Sequence, residues 1–249
     1  MKKIANRVVS EAKVRIEGVA QFYDQDEYDE LQVLLSTVVG MLVAYAHIHE
    51  EDRTKWAFTK DDIEVWFQVR FPTFDFKGRI DLMPTQKDKQ LLVDHKALAR
   101  IAGSYLDKLP LDSQLKGNTL GATKGLQRCP KKVVYDIIRK CKLRRKSQES
   151  TEEFCERIKE DYLDRVEFYF HRETLRYSKG DIEAFEYDLH NKHNQYVRLV
   201  EAAQDPLDPR DWPLSDHMCD EFFRTCPFQP LCIQGLDRGT GKLYTQYNK

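Results

Sequence analysis

Leu31, Leu34, Leu35, Val38, Val39, Leu42 and Tyr45 recur at helical spacing and form one broad apolar stripe, so the first 50 residues read as helices. Polar residues from Glu50 to Asp62 make a connection. Period-2, β-branched and aromatic patterning then predicts strands over Ile63–Arg70, Phe76–Met83 and Leu91–Lys96, punctuated by Pro72 and by a polar turn from Thr85 to Gln90. Residues from about Asp112 to Gly125 predict a helix, and Lys132–Ile138 a further strand. Ser150–Leu199 reads as helical throughout, two helices meeting near Gly180 with Ser150 and Asp181 as N-caps. The proline-rich stretch Pro206–Pro213 separates this part from a cysteine-bearing tail. The order αα-βββ-α-β-αα predicts an α/β (α+β) core with helical and tail additions. A single domain over residues 1–249 would comprise N-terminal helices (1–55), a core (60–140), a helical segment (150–200) and a Cys-rich tail (214–235).

The 249 residues are 41% hydrophobic and 33% charged, enough apolar material for a core. Forty basic and 41 acidic residues leave a net charge of −1, which excludes a uniformly basic nucleic-acid coat and an acidic solvating tail. The longest apolar run, Leu31 to Ala46, is broken by Gln32, Ser36, Thr37 and Gly40, so no membrane span is expected. The start, Met1-Lys2-Lys3-Ile4-Ala5-Asn6-Arg7, carries no secretory signal pattern. With six cysteines this argues for a reducing, intracellular (cytoplasmic) setting rather than a disulfide scaffold.

The most informative pattern is Gly78-Arg79-Ile80-Asp81, followed 13 residues later by Asp94-His95-Lys96. The two acids fall on adjacent predicted strands joined by a short turn, and a hairpin of that length can bring Asp81 alongside Asp94. Strand periodicity puts Asp94 and Lys96 on one face and His95 on the other. Neighbouring carboxylates repel unless neutralised, and a divalent cation that prefers oxygen does this. A lysine beside them can orient a water or stabilise developing phosphate charge.

These residues resemble motifs II and III of the PD-(D/E)XK nuclease superfamily, in the RecB-like branch that includes phage-type exonucleases and CRISPR-adaptation nucleases. The resemblance extends over Lys132–Lys140, Phe154–Ile158 and Tyr169–Glu173, and covers roughly residues 60–235. It implies a restriction-endonuclease-like central mixed sheet flanked by helices, and metal-dependent hydrolysis of DNA, with Mg²⁺ or Mn²⁺ as cofactor. Asp81, Asp94 and the backbone carbonyl of His95 would hold the metal, and Lys96 would position the nucleophilic water. Gln114 matches the family's Gln-x-x-x-Tyr helix and would orient the site or the DNA; Asn118 stands where Tyr is usual. The family's upstream metal-ligating histidine has no counterpart in its usual context. His47 and His49 end the helix before the first strand, and His49 reads as a helix-end surface residue. Two readings stay open: an active metal-dependent nuclease, in which a shortened N-terminus or a separate chain accounts for the missing part, or a catalytically impaired DNA-binding or interaction protein that keeps the fold without motif I.

Cys219, Cys226 and Cys232 lie within 14 residues, and three thiolates this close suggest Zn²⁺ or an iron–sulfur cluster. The Cys-Pro-Phe-x3-Cys portion resembles the family's C-terminal [4Fe–4S] motif, although the early fourth cysteine is absent. Between Arg128 and Lys146 nine basic residues face one acid, whereas Glu149 to Asp164 holds seven acids and two bases. Within the basic block, Arg139, Lys140, Lys142, Arg144 and Arg145 are the candidates for contact with a DNA backbone. The aromatics Phe168, Tyr169, Phe170, Phe222, Phe223 and Phe228 read as core packing rather than base-stacking groups.

Overall fold

The computed structural model describes Gly18 and residues 24–202. The chain divides into two units, Met1–Glu186 and Tyr187–Lys249, and the boundary falls inside the last described helix. The cysteine tail and its aromatics, including Cys219, Cys226, Cys232, Phe222, Phe223 and Phe228, lie outside the described residues.

Helix α1 (Gln25–Ile48) begins at Asp24, whose carboxylate accepts from the Glu27 N–H while Glu27 accepts from the Asp24 N–H, a reciprocal cap. A short α2 (Asp52–Lys55) leads to strands β1 (Ile63–Arg70), β2 (Asp75–Leu82), β3 (Thr85–Gln86) and β4 (Lys89–Leu98). The polar turn thus contains a short strand of its own. Gln86 pairs with Lys89 around Lys87 and Asp88, both at positive φ, the left-handed pair that two-residue hairpins favour. A short α3 (Gly103–Leu106) precedes α4 (Ser113–Leu120), which Asp112 caps through the Leu115 N–H and which widens into a π turn over Gly121–Gly125. Strand β5 (Lys132–Arg139), α5 (Thr151–Asp164), α6 (Val166–Tyr169), β6 (Phe170–Leu175) and α7 (Lys179–Ala202) complete the order.

The result is a mixed α/β fold whose six-stranded sheet runs β1-β2-β4-β5-β6, with β3 pairing β4. The β4–β5 pair is parallel and the other ladders are antiparallel. One face carries a core of Phe67, Val69, Leu92, Leu115, Val133, Tyr135 and Ile137 beneath α4. On the other, Ala44, Ile138, Phe154, Ile158 and Tyr162 pack α1 and α5 against the sheet.

Two features of this architecture correct the sequence reading. Residues 150–199 are not continuous helix, because β6 interrupts them. Arg172, in the middle of β6, pairs with the buried Asp136, so a charge occupies a position where the strand pattern calls for an apolar residue. Ser150 does cap α5, but Asp181 lies inside α7, where its N–H donates to the Ser178 hydroxyl and its carboxylate accepts from the Ser178 N–H and hydroxyl. The stretch Glu30–Ile48 is, at 19 residues and mean hydropathy 1.8, long and apolar enough to cross a membrane by length and composition. Its Leu35, Val39 and Ala44 are buried, and a Cβ at Gly40 would lie 2.7 Å from Ile158, so α1 seats closely on α5.

The Asp136–Arg172 pair ties the layers together. Asp136 is 2% exposed, and it accepts from Arg172 on β6 and from the Tyr45 hydroxyl on α1 at 2.6 Å. Arg172 also reaches Asp52 of α2 at 2.8 Å and lies over the Trp56 ring. Removing one partner of a buried pair leaves the other charge uncompensated, a loss of about 3–5 kcal/mol. Arg172→Ala is therefore expected to lower unfolding stability by about that amount in urea titration, well beyond the effect of removing an exposed pair such as Lys192–Asp188.

Candidate active site

Strand β2 meets β4 through Leu82 opposite Val93, so the next step along the two strands sets Asp81 across from Asp94. The juxtaposition expected from the spacing is present. Asp81 is one-third exposed and accepts from the His95 N–H at 2.8 Å, with the His95 Nδ1 3.8 Å away. Burial opposes ionisation of Asp81, but hydrogen bonds from His95 and the nearby charges of His95 and Lys96 outweigh it and hold the carboxyl below its ordinary range.

Asp94 is placed very differently. It is 1% exposed, and its Oδ1 accepts from Gln114 Nε2 at 3.1 Å and from Asn118 Nδ2 at 3.5 Å. Its Oδ2 is buried and finds no hydrogen-bond partner among the described residues. Burial, and then the charge of Asp81, push its pKa up to about 6.

Gln114 is the hinge of the arrangement. Its amide nitrogen donates to Asp94 while its Oε1 accepts from Lys96 Nζ at 2.9 Å, so one side chain on α4 fixes both strand residues. Lys96 and Asp94 thus share the α4 face. His95 points to the opposite one, where its Nε2 lies 3.1 Å from the Tyr45 hydroxyl. Asn118, one turn beyond Gln114, reaches the same carboxylate and joins the site in place of the expected tyrosine. The i, i+4 spacing of two amides behind a capped helix start is the signal that could have assigned it.

The close approach of α4 depends on the glycine that opens the Gly78-Arg79-Ile80-Asp81 run. Phe67 stands across from Gly78, and a Cβ at Gly78 would fall 2.5 Å from its ring, while one at Gly121 would fall 2.4 Å from it. The ring is clamped between two positions that carry no side chain.

His49 is not the surface residue expected at a helix end. Its side chain is 18% exposed, its ring lies 4.5 Å from that of Tyr45, and its Nδ1 is 3.8 Å from Asp52. Burial, then the charge of Arg172, lowers its pKa. Among the described residues, no three His, Cys, Asp or Glu side chains converge as a metal-holding group.

The basic candidates separate into two sets. Arg139 pairs across from Leu98, two positions beyond Lys96 on the same parallel strands, and the Lys140 N–H donates to the Leu98 carbonyl at 2.7 Å. Arg139, Lys140 and Lys142 have no carboxylate partner among the described residues. With Arg165, Phe168 and Tyr169 they line a recess of about 180 Å³. Arg145 is instead tied to the Glu149 carbonyl at 2.7 Å, and the Arg144 carbonyl accepts from Arg157. In the acidic block Glu149 pairs with Arg157, Glu156 with Lys159 and Asp161 with Arg165. Tyr169 and Phe170 are core residues as expected, whereas Phe168 is 43% exposed with Arg139 3.8 Å from its ring centre. No protein-family model matches the chain, and no curated protein matches it significantly.

The raised pKa of Asp94 fixes a pH dependence. The folded protein binds this proton more tightly than the unfolded chain, so the associated stability is complete below about pH 4 and is lost as pH rises through about 6. Above pH 6 the ionised group costs the metal-free fold up to about 3 kcal/mol. Asp94→Asn should therefore melt higher than the parent protein at pH 8 in chelator, and the difference should vanish near pH 4. Parallel melting curves across that range would contradict the assignment.

Proposed function

We propose that this protein is a metal-dependent DNA nuclease that hydrolyses phosphodiester bonds at Asp81, Asp94 and Lys96, on a restriction-endonuclease-like form of the mixed sheet. The observation that carries this reading is the buried Asp94 Oδ2, which has no hydrogen-bond partner among the described residues. An ionisable oxygen held out of water without a donor is costly unless something else neutralises it. The same observation favours an active enzyme over a DNA-binding protein that merely retains the fold.

The donor set suits a hard cation. Mg²⁺ and Mn²⁺ take oxygen ligands, and Mg²⁺ commonly binds through one or two carboxylates while keeping several waters. Asp81 and Asp94 would supply the two carboxylates, and the backbone carbonyl of His95, next to Asp94 in sequence, a third oxygen. Such an ion, when bound, would polarise a phosphoryl oxygen and lower the pKa of water.

The remaining work falls to the chain itself. Gln114 holds the Lys96 ammonium beside Asp94, where it can orient a water and balance charge developing on phosphate oxygens. Arg139, Lys140 and Lys142, at and just past the ends of β4 and β5, offer cations to the neighbouring backbone phosphates. The sequence expectation of zinc or an iron–sulfur cluster on Cys219, Cys226 and Cys232 stays a proposal beside this one, as does a further protein subunit.

Incubation of the purified protein with linear DNA and Mn²⁺ tests the reading. The parent protein should release nucleotides or cut the strand, chelator should abolish this, and Asp94→Ala should fall to background. Lys96→Ala should lose roughly 10²–10⁴-fold, the range for a positioned proton-transfer or charge-stabilising group, and Gln114→Ala roughly 10–100-fold as an outer-shell partner. Mn²⁺ should also raise the melting temperature of the parent protein and not that of Asp94→Ala. Equal DNA degradation by parent and Asp94→Ala would overturn the proposal.

A further inference from the structure

Beside Asp81 the outer strands β1 and β2 present an exposed face with an unusual pair on it. Trp66 is 69% exposed on an edge strand, and Arg79 stands directly across from it with its guanidinium carbon 5.3 Å from the ring centre. Glu64 lies between the ladder pairs Ile63–Leu82 and Val65–Ile80. Glu64 adopts a left-handed backbone (φ 54°) and its carboxylate holds Arg79 Nε at 2.6 Å. Cross-strand partners and residues two apart share a face of a sheet. The Glu64–Arg79 ion pair and the Arg79–Trp66 contact gather these three side chains, with Arg79 two residues before Asp81 on β2.

An indole left this open gains little from the fold, since burial is what makes a large aromatic side chain stabilising. Here it is also oriented, because Arg79 is fixed against it by Glu64. A flat aromatic surface flanked by a guanidinium attracts a planar, electron-rich group with an attached negative charge. A nucleotide offers both, the base to the indole and the phosphate to the arginine. Arg79 lies two residues from Asp81 along β2, roughly 6.6 Å at the usual strand rise, close to one nucleotide step in an extended strand. Duplex DNA hides its base faces in the stack, so only an unpaired base could use this surface.

We propose that Trp66 and Arg79 form a stacking platform for the base of the nucleotide next to the scissile phosphate, which selects single-stranded or frayed DNA. This rests on the nuclease reading for the identity of the neighbouring site. Neither residue touches the reacting atoms; both are substrate-positioning residues.

The test is binding of full-length protein, in chelator, to a labelled oligothymidylate, to an abasic phosphodiester strand of equal length and to a blunt duplex. Trp66→Ala should weaken oligothymidylate binding roughly ten- to hundredfold, the range for loss of one stacked base. Trp66→Phe should keep most of the affinity, and neither variant should alter binding to the abasic strand or the duplex. An unchanged melting temperature for Trp66→Ala checks that an exposed position has been altered without loss of fold. Equal affinity of parent and Trp66→Ala for oligothymidylate, an equal loss on the abasic strand, or no binding of oligothymidylate by the parent would each overturn the platform. Mn²⁺-dependent cleavage separates the two proposals. If cleavage persists while Trp66→Ala binds normally, only the platform fails; if base-dependent binding is seen without cleavage, only the nuclease reading fails.

Discussion

Asp136 is buried at the centre of the sheet, and the way it is neutralised organises the layers around it. Arg172 from β6 and the Tyr45 hydroxyl from α1 both converge on its carboxylate. Burial alone would raise its pKa, but these partners hold it below the ordinary range. Through Arg172 the same interaction reaches Asp52 and Trp56, so α1, α2, β5 and β6 share one electrostatic centre. Asp94, on the adjacent parallel strand and the opposite face, is equally buried and forms no ion pair among the described residues, with Lys96 held beside it through Gln114. Its Oδ1 takes amide donors, its Oδ2 takes none among the described residues, and its pKa rises. Two aspartates one strand apart thus have opposite treatment. The fold satisfies one acid and leaves the other available, and the second is the one that lies next to Asp81.

That availability depends on packing several residues away. Gln114 can reach both Asp94 and Lys96 only because α4 sits low on the sheet, and α4 sits low because Phe67 fits between Gly78 and Gly121. Gly117 contributes to the same approach, since a Cβ there would lie 3.0 Å from Phe76. The glycine at the head of the acid-bearing strand is therefore a packing residue whose effect is felt at the site. A side chain there would force either the ring or the helix to move, and overpacking of this kind costs about 1–3 kcal/mol.

Elements with strong local patterning were legible in the sequence. Ile63–Arg70 and the strand around Leu91–Lys96 alternate or run apolar, and the Ser150 cap announces α5 by its reciprocal bonds with Glu153. The pairing of Asp81 with Asp94 was legible too, because a short hairpin leaves few registers. Strand β6 was not, since Arg172 occupies an inward position and its partner Asp136 lies 36 residues earlier. Long-range charge pairing of this kind leaves no periodic trace. His49 was misread for a related reason: a polar residue at a helix end looks solvent-bound until Tyr45, Asp52 and Phe170 close around it. Asn118 read as a departure from a motif, and only the three-dimensional position of α4 reveals that it reaches the same carboxylate.

The net charge of −1 says little about such a site, because charge acts over short distances. At physiological salt the screening length is about 8 Å, so a phosphate at the ends of β4 and β5 responds to Lys96, Arg139, Lys140 and Lys142 rather than to the distant acids. In the acidic stretch that follows, Glu149 is taken up by Arg157 and Asp161 by Arg165. On the other flank Arg79 is paired with Glu64, which lowers its pull on a phosphate but fixes its plane beside Trp66. The two flanks therefore differ in kind. One offers cations without a carboxylate partner among the described residues, suited to any phosphate backbone, and the other a planar surface suited to a base.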